Sequence, residues 1–218
     1  MGKNKKNIGF LFDLDGVIID SESEYTRIWA QIGKEFPTGI DNFETKIKGS
    51  TLSKILSDYY HDEGTRLLVA QRLHELENKM HYSFLPYSEE FLIQLKQQEL
   101  PCALVTSSDN QKMAHLYEEI PHLEELFQFI VTGDKVTTSK PSPEGYLLGA
   151  EKIGVNPQRC AVFEDSLQGV MAGKNANAFV VGVVGTLPSE ILAPYSHIMI
   201  QSFNEINLDN LIQQLEER

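Results

Sequence analysis

Apolar residues gather in short strand-like runs at 8–12, 102–106, 128–132, 160–164 and 178–184. Between most of these runs apolar positions recur at helical spacing. Phe91, Leu92 and Leu95 share a face over 88–98, and Met113, Ala114, Leu116 and Tyr117 do so over 110–119. Tyr146, Leu147, Ala150 and Ile153 do the same over 143–153. Strands alternating with helices predict parallel β-α units, and so a doubly wound, Rossmann-like α/β sheet.

The stretch between the first two runs breaks that alternation. About 20–85 carries almost no strand signal. Asp20, Ser21 and Ser23 offer helix N-caps, and Tyr25, Ile28, Trp29, Ile32 and Phe36 follow at helical spacing, Trp29 as a core residue. Leu52, Ile55, Leu56 and Tyr59 make a second amphipathic stretch, and Leu67, Leu68, Leu73, Leu76 and Met80 supply a third or fourth. Pro37-Thr38-Gly39 and Asp62-Glu63-Gly64 separate them as turns. The chain therefore reads as an α/β catalytic core over 1–19 and 86–218 with an all-helical cap domain over 20–85, Pro86 marking the return. A helical insert after the first strand is a natural lid over the strand-end crevice.

A chain of 218 residues is long enough for such a core and a small second domain. Its formal charge of −12 argues against nucleic acid or an anionic membrane as partner, since both need basic patches. A phosphorylated substrate stays open, because one lysine and a divalent cation reverse the field inside a single cleft. Lys3, Lys5 and Lys6 precede only a short apolar run that ends in Asp13, which does not read as a signal peptide. No apolar stretch reaches membrane-spanning length. Cys102 and Cys160 sit inside strand runs and read as buried thiols. The expectation is a cytoplasmic protein, with a monomer as the default.

Charge appears where the strand runs stop. The first run ends in Asp13-Leu14-Asp15-Gly16, the second in Thr106-Ser107-Ser108 and the fourth in Glu164-Asp165-Ser166, while Lys140-Pro141 precedes the helix near Pro143. All four fall on the edge where an open parallel sheet binds its ligand. A carboxylate at a buried strand end needs a metal ion, a cation or aimed N–H groups to offset its lost hydration. Asp13 is then a candidate nucleophile, and Asp15 a candidate acid/base beside it. Each segment alone has a plain explanation, as a turn, a helix cap or a solvated lysine. Four in order, each at a strand end, point to a site.

Together the motifs resemble the haloacid dehalogenase-like superfamily of phosphohydrolases, in particular its beta-phosphoglucomutase-like branch with a helical cap. The resemblance runs through Asp-Leu-Asp-Gly-Val at 13–17, Asp20-Ser21-Glu22, Lys140-Pro141-Ser142-Pro143 with Tyr146, and Val162-Phe163-Glu164-Asp165-Ser166 with Gly169 and Ala172-Gly173. It implies that Asp13 attacks phosphorus and forms an aspartyl-phosphate, and that Asp15 protonates the leaving oxygen and then deprotonates water. It implies that Thr106 and the Ser107 N–H hold phosphoryl oxygens while Lys140 neutralises charge. It assigns Mg²⁺ to Asp13, the Asp15 carbonyl and Asp165, with Glu164 in support, an oxygen set that suits a hard cation.

Departures bear on the reaction. Beta-phosphoglucomutases carry a histidine near the start of the cap helix where this chain has Tyr25, and a cap-loop arginine near the place of Leu52 in Lys48-Gly49-Ser50-Thr51-Leu52. Lys48 and Thr51 remain candidates for substrate contact, and Thr51 is equally a cap for the helix from Leu52. Ser108 and Asn110 either line the phosphate pocket or cap the 110–119 helix. The expected activity is a Mg²⁺-dependent phosphatase acting on a small phosphorylated metabolite, a sugar phosphate first. The alternatives are a phosphomutase and a non-enzymatic phospho-receiver domain, which is shorter and lacks a helical insert.

Overall fold

The computed structural model describes residues 7–47 and 52–218. The five apolar runs form parallel strands: β1 (Gly9–Phe12), β2 (Cys102–Val105), β3 (Phe129–Val131), β4 (Cys160–Glu164) and β5 (Phe179–Val183). A further strand, β6 (Ile198–Ile200), extends one edge, giving the order β3-β2-β1-β4-β5-β6. β1 pairs with β2 through Leu11 and Ala103 and with β4 through Leu11 and Val162. The chain thus winds outward in both directions from a central β1. That reversal opens a crevice at the carboxyl ends of β1 and its neighbours.

Helices in chain order are α1 (Ser21–Glu35), α2 (Phe43–Lys46), α3 (Leu52–Tyr59), α4 (Glu63–Glu77), α5 (Ser88–Gln97), α6 (Asn110–Glu119), α7 (Glu144–Lys152), α8 (Leu167–Asn175), α9 (Ser189–Leu192) and α10 (Leu208–Glu216). Side-chain alternation sends Phe10, Phe12 and Phe163 to one face of the sheet. There Phe12 stacks on Phe163 with ring centroids 4.6 Å apart, and Phe91 of α5 and Phe203 close over them. Leu11, Ala103, Val105 and Val162 take the other face, under Tyr146 and Ala150 of α7 and Ala172 of α8. Both faces are dry, as a parallel sheet requires. Cys102 and Cys160 are buried within β2 and β4, and burial pushes both thiols up to about 12.

Two compact units divide the chain. One runs to Asp20 and resumes at Ser83, and the other spans Ser21–Tyr82. In the second, Trp29 is buried and meets the edge of Phe43 at 6.0 Å, with Ile28 and Ile32 in the same core. Asp62 caps α4 by accepting from the Thr65 N–H at 2.7 Å. Arg72 ties α4 to α1 through Glu35 at 2.7 Å. Among the described residues no helix is long and apolar enough to cross a membrane.

Phe91 joins the aromatic layer to α5 and is 4% exposed. Phe91→Ala should lower unfolding free energy by about 3–5 kcal/mol in denaturant titrations. A loss below about 1 kcal/mol would show that the layer does not carry the core.

Candidate active site

β1 ends at Phe12, and the next residue, Asp13, continues the ladder by donating its N–H to the Phe163 carbonyl at 3.0 Å. The chain then turns through Gly16, at φ 74°, and curls back so that the Ile18 and Ile19 N–H groups donate to the Leu14 carbonyl. A side chain at Gly16 would be excluded twice, by that left-handed backbone and by Asp165, whose Oδ2 lies 2.1 Å from where a Cβ would sit. The glycine lets the loop after β1 lie directly against the carboxylates at the end of β4.

One of them, Glu164, shares a buried ammonium with Asp13. Lys140 Nζ donates to Asp13 Oδ1 at 2.5 Å, to Glu164 Oε1 at 2.5 Å and to the Val105 carbonyl at 3.2 Å. Glu164 is fully buried, and it also accepts from the Tyr146 hydroxyl at 2.7 Å and the Ser166 hydroxyl at 3.0 Å. Ser166 in turn caps α8, accepting from the Gly169 N–H at 3.0 Å. Gly169 is fixed as glycine by the same packing, since a Cβ there would fall 1.8 Å from Glu164. Thr186 donates to Asp165 from the loop after β5.

One lysine does not balance three carboxylates. Burial raises the Asp13 carboxyl to about 7, against the lowering pull of Lys140 and with the push of Glu164. Burial likewise lifts Asp165 well above the ordinary aspartate value, aided by the charges of Glu164 and Asp13. Burial opposes the charge on Lys140, but Asp13 and Glu164 more than offset this and hold its ammonium above the ordinary lysine value. Asp13, Glu164 and Asp165 each offer an oxygen, all within 4.8 Å of one another. An excess of buried negative charge on hard oxygen donors fits a divalent cation of the Mg²⁺ or Ca²⁺ type.

The hydroxyl segment lies alongside. Thr106 is 4% exposed at the end of β2, and its Oγ1 accepts from the Ser108 N–H at 3.0 Å. Ser107 is exposed and, with Thr106, Lys140, Val105 and Tyr146, lines a cavity of about 220 Å³. Asp15 is paired with a different cation. Lys112 Nζ reaches its two oxygens at 2.7 and 2.8 Å, and the Ser108 hydroxyl donates to it at 3.2 Å.

Two expectations on the sequence resolve differently from a simple cap. Neither Ser108 nor Asn110 caps α6; Asp109 does, accepting from the Lys112 N–H at 2.8 Å. Ser108 belongs to the Asp15 group, whereas Asn110 accepts from the Thr132 hydroxyl at 3.2 Å, on the β3 side. Lys48 and Thr51 lie outside the described residues. Tyr25 donates to Glu77 at 3.0 Å within the helical unit. Sequence reasoning missed Lys112 and Thr186. The signal for Lys112 was a cation on the first turn of a helix that starts at the binding edge. For Thr186 it was a hydroxyl just after the fifth strand run.

Fold and site together define a parallel-sheet enzyme built around a strand-end aspartate, with a lysine, hydroxyl donors and a metal-type carboxylate cluster. A family model for haloacid dehalogenase-like hydrolases matches residues 10–183, and the chain belongs to that family. It is 31% identical over 179 residues to hexitol phosphatase A of Escherichia coli K12, covering 80% of this chain and 82% of that protein. To the phosphorylated carbohydrates phosphatase of Thermotoga maritima it is 30% identical over 185 residues, covering 81% and 85%. The crystal structure of beta-phosphoglucomutase from Clostridium difficile superposes with a TM-score of 0.70 at 25% identity, covering 96% of this chain and 97% of that one.

Two predictions follow from this geometry. Gly169→Ala should cost more than about 3 kcal/mol in denaturant unfolding or prevent folding, because the added methyl would push the buried Glu164 carboxylate off its bonds to Lys140, Tyr146 and Ser166. In the metal-free protein Asp13 holds its proton up to about pH 7, whereas an unfolded aspartate loses it near 3.8. Between those values the folded state binds the extra proton, so this group's contribution makes stability fall as pH rises. A divalent cation competes with that proton. Its stabilising shift in thermal melts should therefore be larger near pH ~7.5 than near pH ~5. Equal shifts at both would contradict a cation held by Asp13.

Proposed function

We propose that this hydrolase is a Mg²⁺-dependent phosphatase that cleaves a small phosphorylated metabolite, a sugar phosphate first, through a phosphoaspartate on Asp13. The observation that carries the reading is the separation of the two aspartates: Asp13 is bonded to Lys140, while Asp15 is bonded to Lys112 and Ser108. One carboxylate is held for attack and the other is kept for proton transfer.

In the first step Asp13 Oδ attacks phosphorus as the bond to the leaving oxygen breaks. Asp15 gives its proton to that oxygen. In the second, Asp15 takes a proton from water, which attacks the same phosphorus and breaks its bond to Asp13. Lys140 offsets the charge that accumulates between Asp13 and the phosphoryl group, and the Thr106 hydroxyl and Ser107 N–H donate to the phosphoryl oxygens. Mg²⁺, held by Asp13, Asp165 and the Asp15 carbonyl with Glu164 in support, would supply positive charge against the phosphoryl oxygens. The raised carboxyls of Asp13 and Asp165 support that assignment, since a cation is what would keep both ionised at neutral pH.

Sugar phosphates are favoured because the hexitol phosphatase and the carbohydrate phosphatase match most of the chain. Steady release of phosphate from p-nitrophenyl phosphate with Mg²⁺ is the expected result, lost on chelation. Asp13→Asn should lower kcat by more than about a thousand-fold with the fold intact. Retained turnover in that variant would exclude Asp13 as nucleophile. A single labelling event without turnover would favour a receiver instead. Assay of a panel of sugar and polyol phosphates, including both anomers of glucose phosphate with a bisphosphate activator, separates hydrolysis from phosphate migration.

A further inference from the structure

Asp15 sits where the chain has already left β1, and its side chain is 31% exposed. A carboxylate in such a place ordinarily rotates and is solvated by water. This one is gripped at both oxygens, by the Lys112 ammonium at 2.7 and 2.8 Å and by the Ser108 hydroxyl at 3.2 Å. The grip is itself braced. The Lys112 N–H donates to the Asp109 cap at 2.8 Å, and the Ser108 N–H donates to Thr106 Oγ1 at 3.0 Å. Both donors therefore come from the β2–α6 segment that carries Thr106 and Ser107.

A partly exposed ion pair of this kind contributes little to stability. Its consequence is geometric. Proton transfer requires the acid within hydrogen-bond reach of the leaving oxygen, and a freely turning carboxyl spends most of its time elsewhere.

We propose that Lys112 is the positioning residue of Asp15: it holds one oxygen of the acid while the other carries the proton, and it takes both oxygens, as seen here, once that proton has moved to the leaving group, with Ser108 as the second point of the clamp. The proposal rests on the reading of Asp15 as acid/base. As the phosphorus–oxygen bond breaks, its electron pair stays on the leaving oxygen, the Asp15 proton moves there, and the carboxylate left behind is the species that Lys112 and Ser108 hold.

The test is the dependence of kcat/KM on leaving-group basicity, measured with p-nitrophenyl phosphate, phenyl phosphate, glycerol phosphate and a hexose phosphate. An aryl oxide with strong electron withdrawal leaves without a proton, whereas an alkoxide does not. Lys112→Met should lower kcat/KM for the alkyl esters by roughly ten-fold to a hundred-fold and for p-nitrophenyl phosphate by no more than about three-fold. Lys112→Arg should recover most of the loss, because a guanidinium also bridges both carboxylate oxygens. Ser108→Ala should give a smaller loss with the same slope, and it tests the clamp independently if Lys112→Met melts early. An equal fall on all four esters, or no fall on the alkyl ones, would overturn the role of Lys112. Full turnover by Asp13→Asn in the same assay would instead overturn the phosphoaspartate reading beneath it.

Discussion

Lys140 is an ammonium ion held away from water between Asp13 and Glu164, and the rest of the site is arranged around keeping it there. A buried cation is tolerable only with anions in contact, which fixes both carboxylates within 2.5 Å of Nζ. Glu164, with no exposure of its own, then needs its remaining acceptor capacity filled, and Tyr146 and Ser166 fill it. The space for that arrangement exists because position 169 has no side chain. Adding Asp165 leaves the cluster with more negative charge than Lys140 offsets. The raised carboxyls of Asp13 and Asp165 express that imbalance, and a divalent cation resolves it.

The sheet makes this cluster possible by topology. β1 lies between β2 and β4, so residues far apart in the chain leave the sheet side by side: Asp13, Thr106, and Glu164 with Asp165. Alternation puts an aromatic layer of Phe10, Phe12 and Phe163 on one face and aliphatic residues on the other. The three carboxylates lie at the strand ends, where the alternation stops, and Lys140 reaches them from the segment before α7. A dry, rigid sheet under the site is what allows a lysine and three carboxylates to be held in one place.

Much of the fold was legible because parallel strands buried on both faces read as unbroken apolar runs. β6 was not, since Ile198-Met199-Ile200 is short and only partly buried at the sheet edge. Asp13, Glu164 and Asp165 announce themselves as charges ending apolar runs, Lys140 stands out only by its place before the Pro141-Ser142-Pro143 turn, and the structure brings the four together. Lys112 and Thr186 do not stand out. A lysine on a helix and a threonine in a loop are ordinary in sequence, and their contacts with Asp15 and Asp165 depend on how distant strands align. The cap of α6 was misplaced for a different reason. Ser108, Asp109 and Asn110 are all good caps, and local preference cannot choose among three neighbours. Asp109 takes the cap, and Ser108 is left to bond Asp15.

The account depends most on covalent transfer to Asp13. Turnover quenched in acid with a sugar phosphate and Mg²⁺, followed by borohydride reduction and peptide mass spectrometry, reads that step directly. An acyl-phosphate on Asp13 would be reduced to homoserine at position 13 and nowhere else in the chain. Rapid phosphate release with aspartate unmodified at position 13, or homoserine appearing at position 15 or 165, would contradict the division of roles proposed for the two strand-end aspartates.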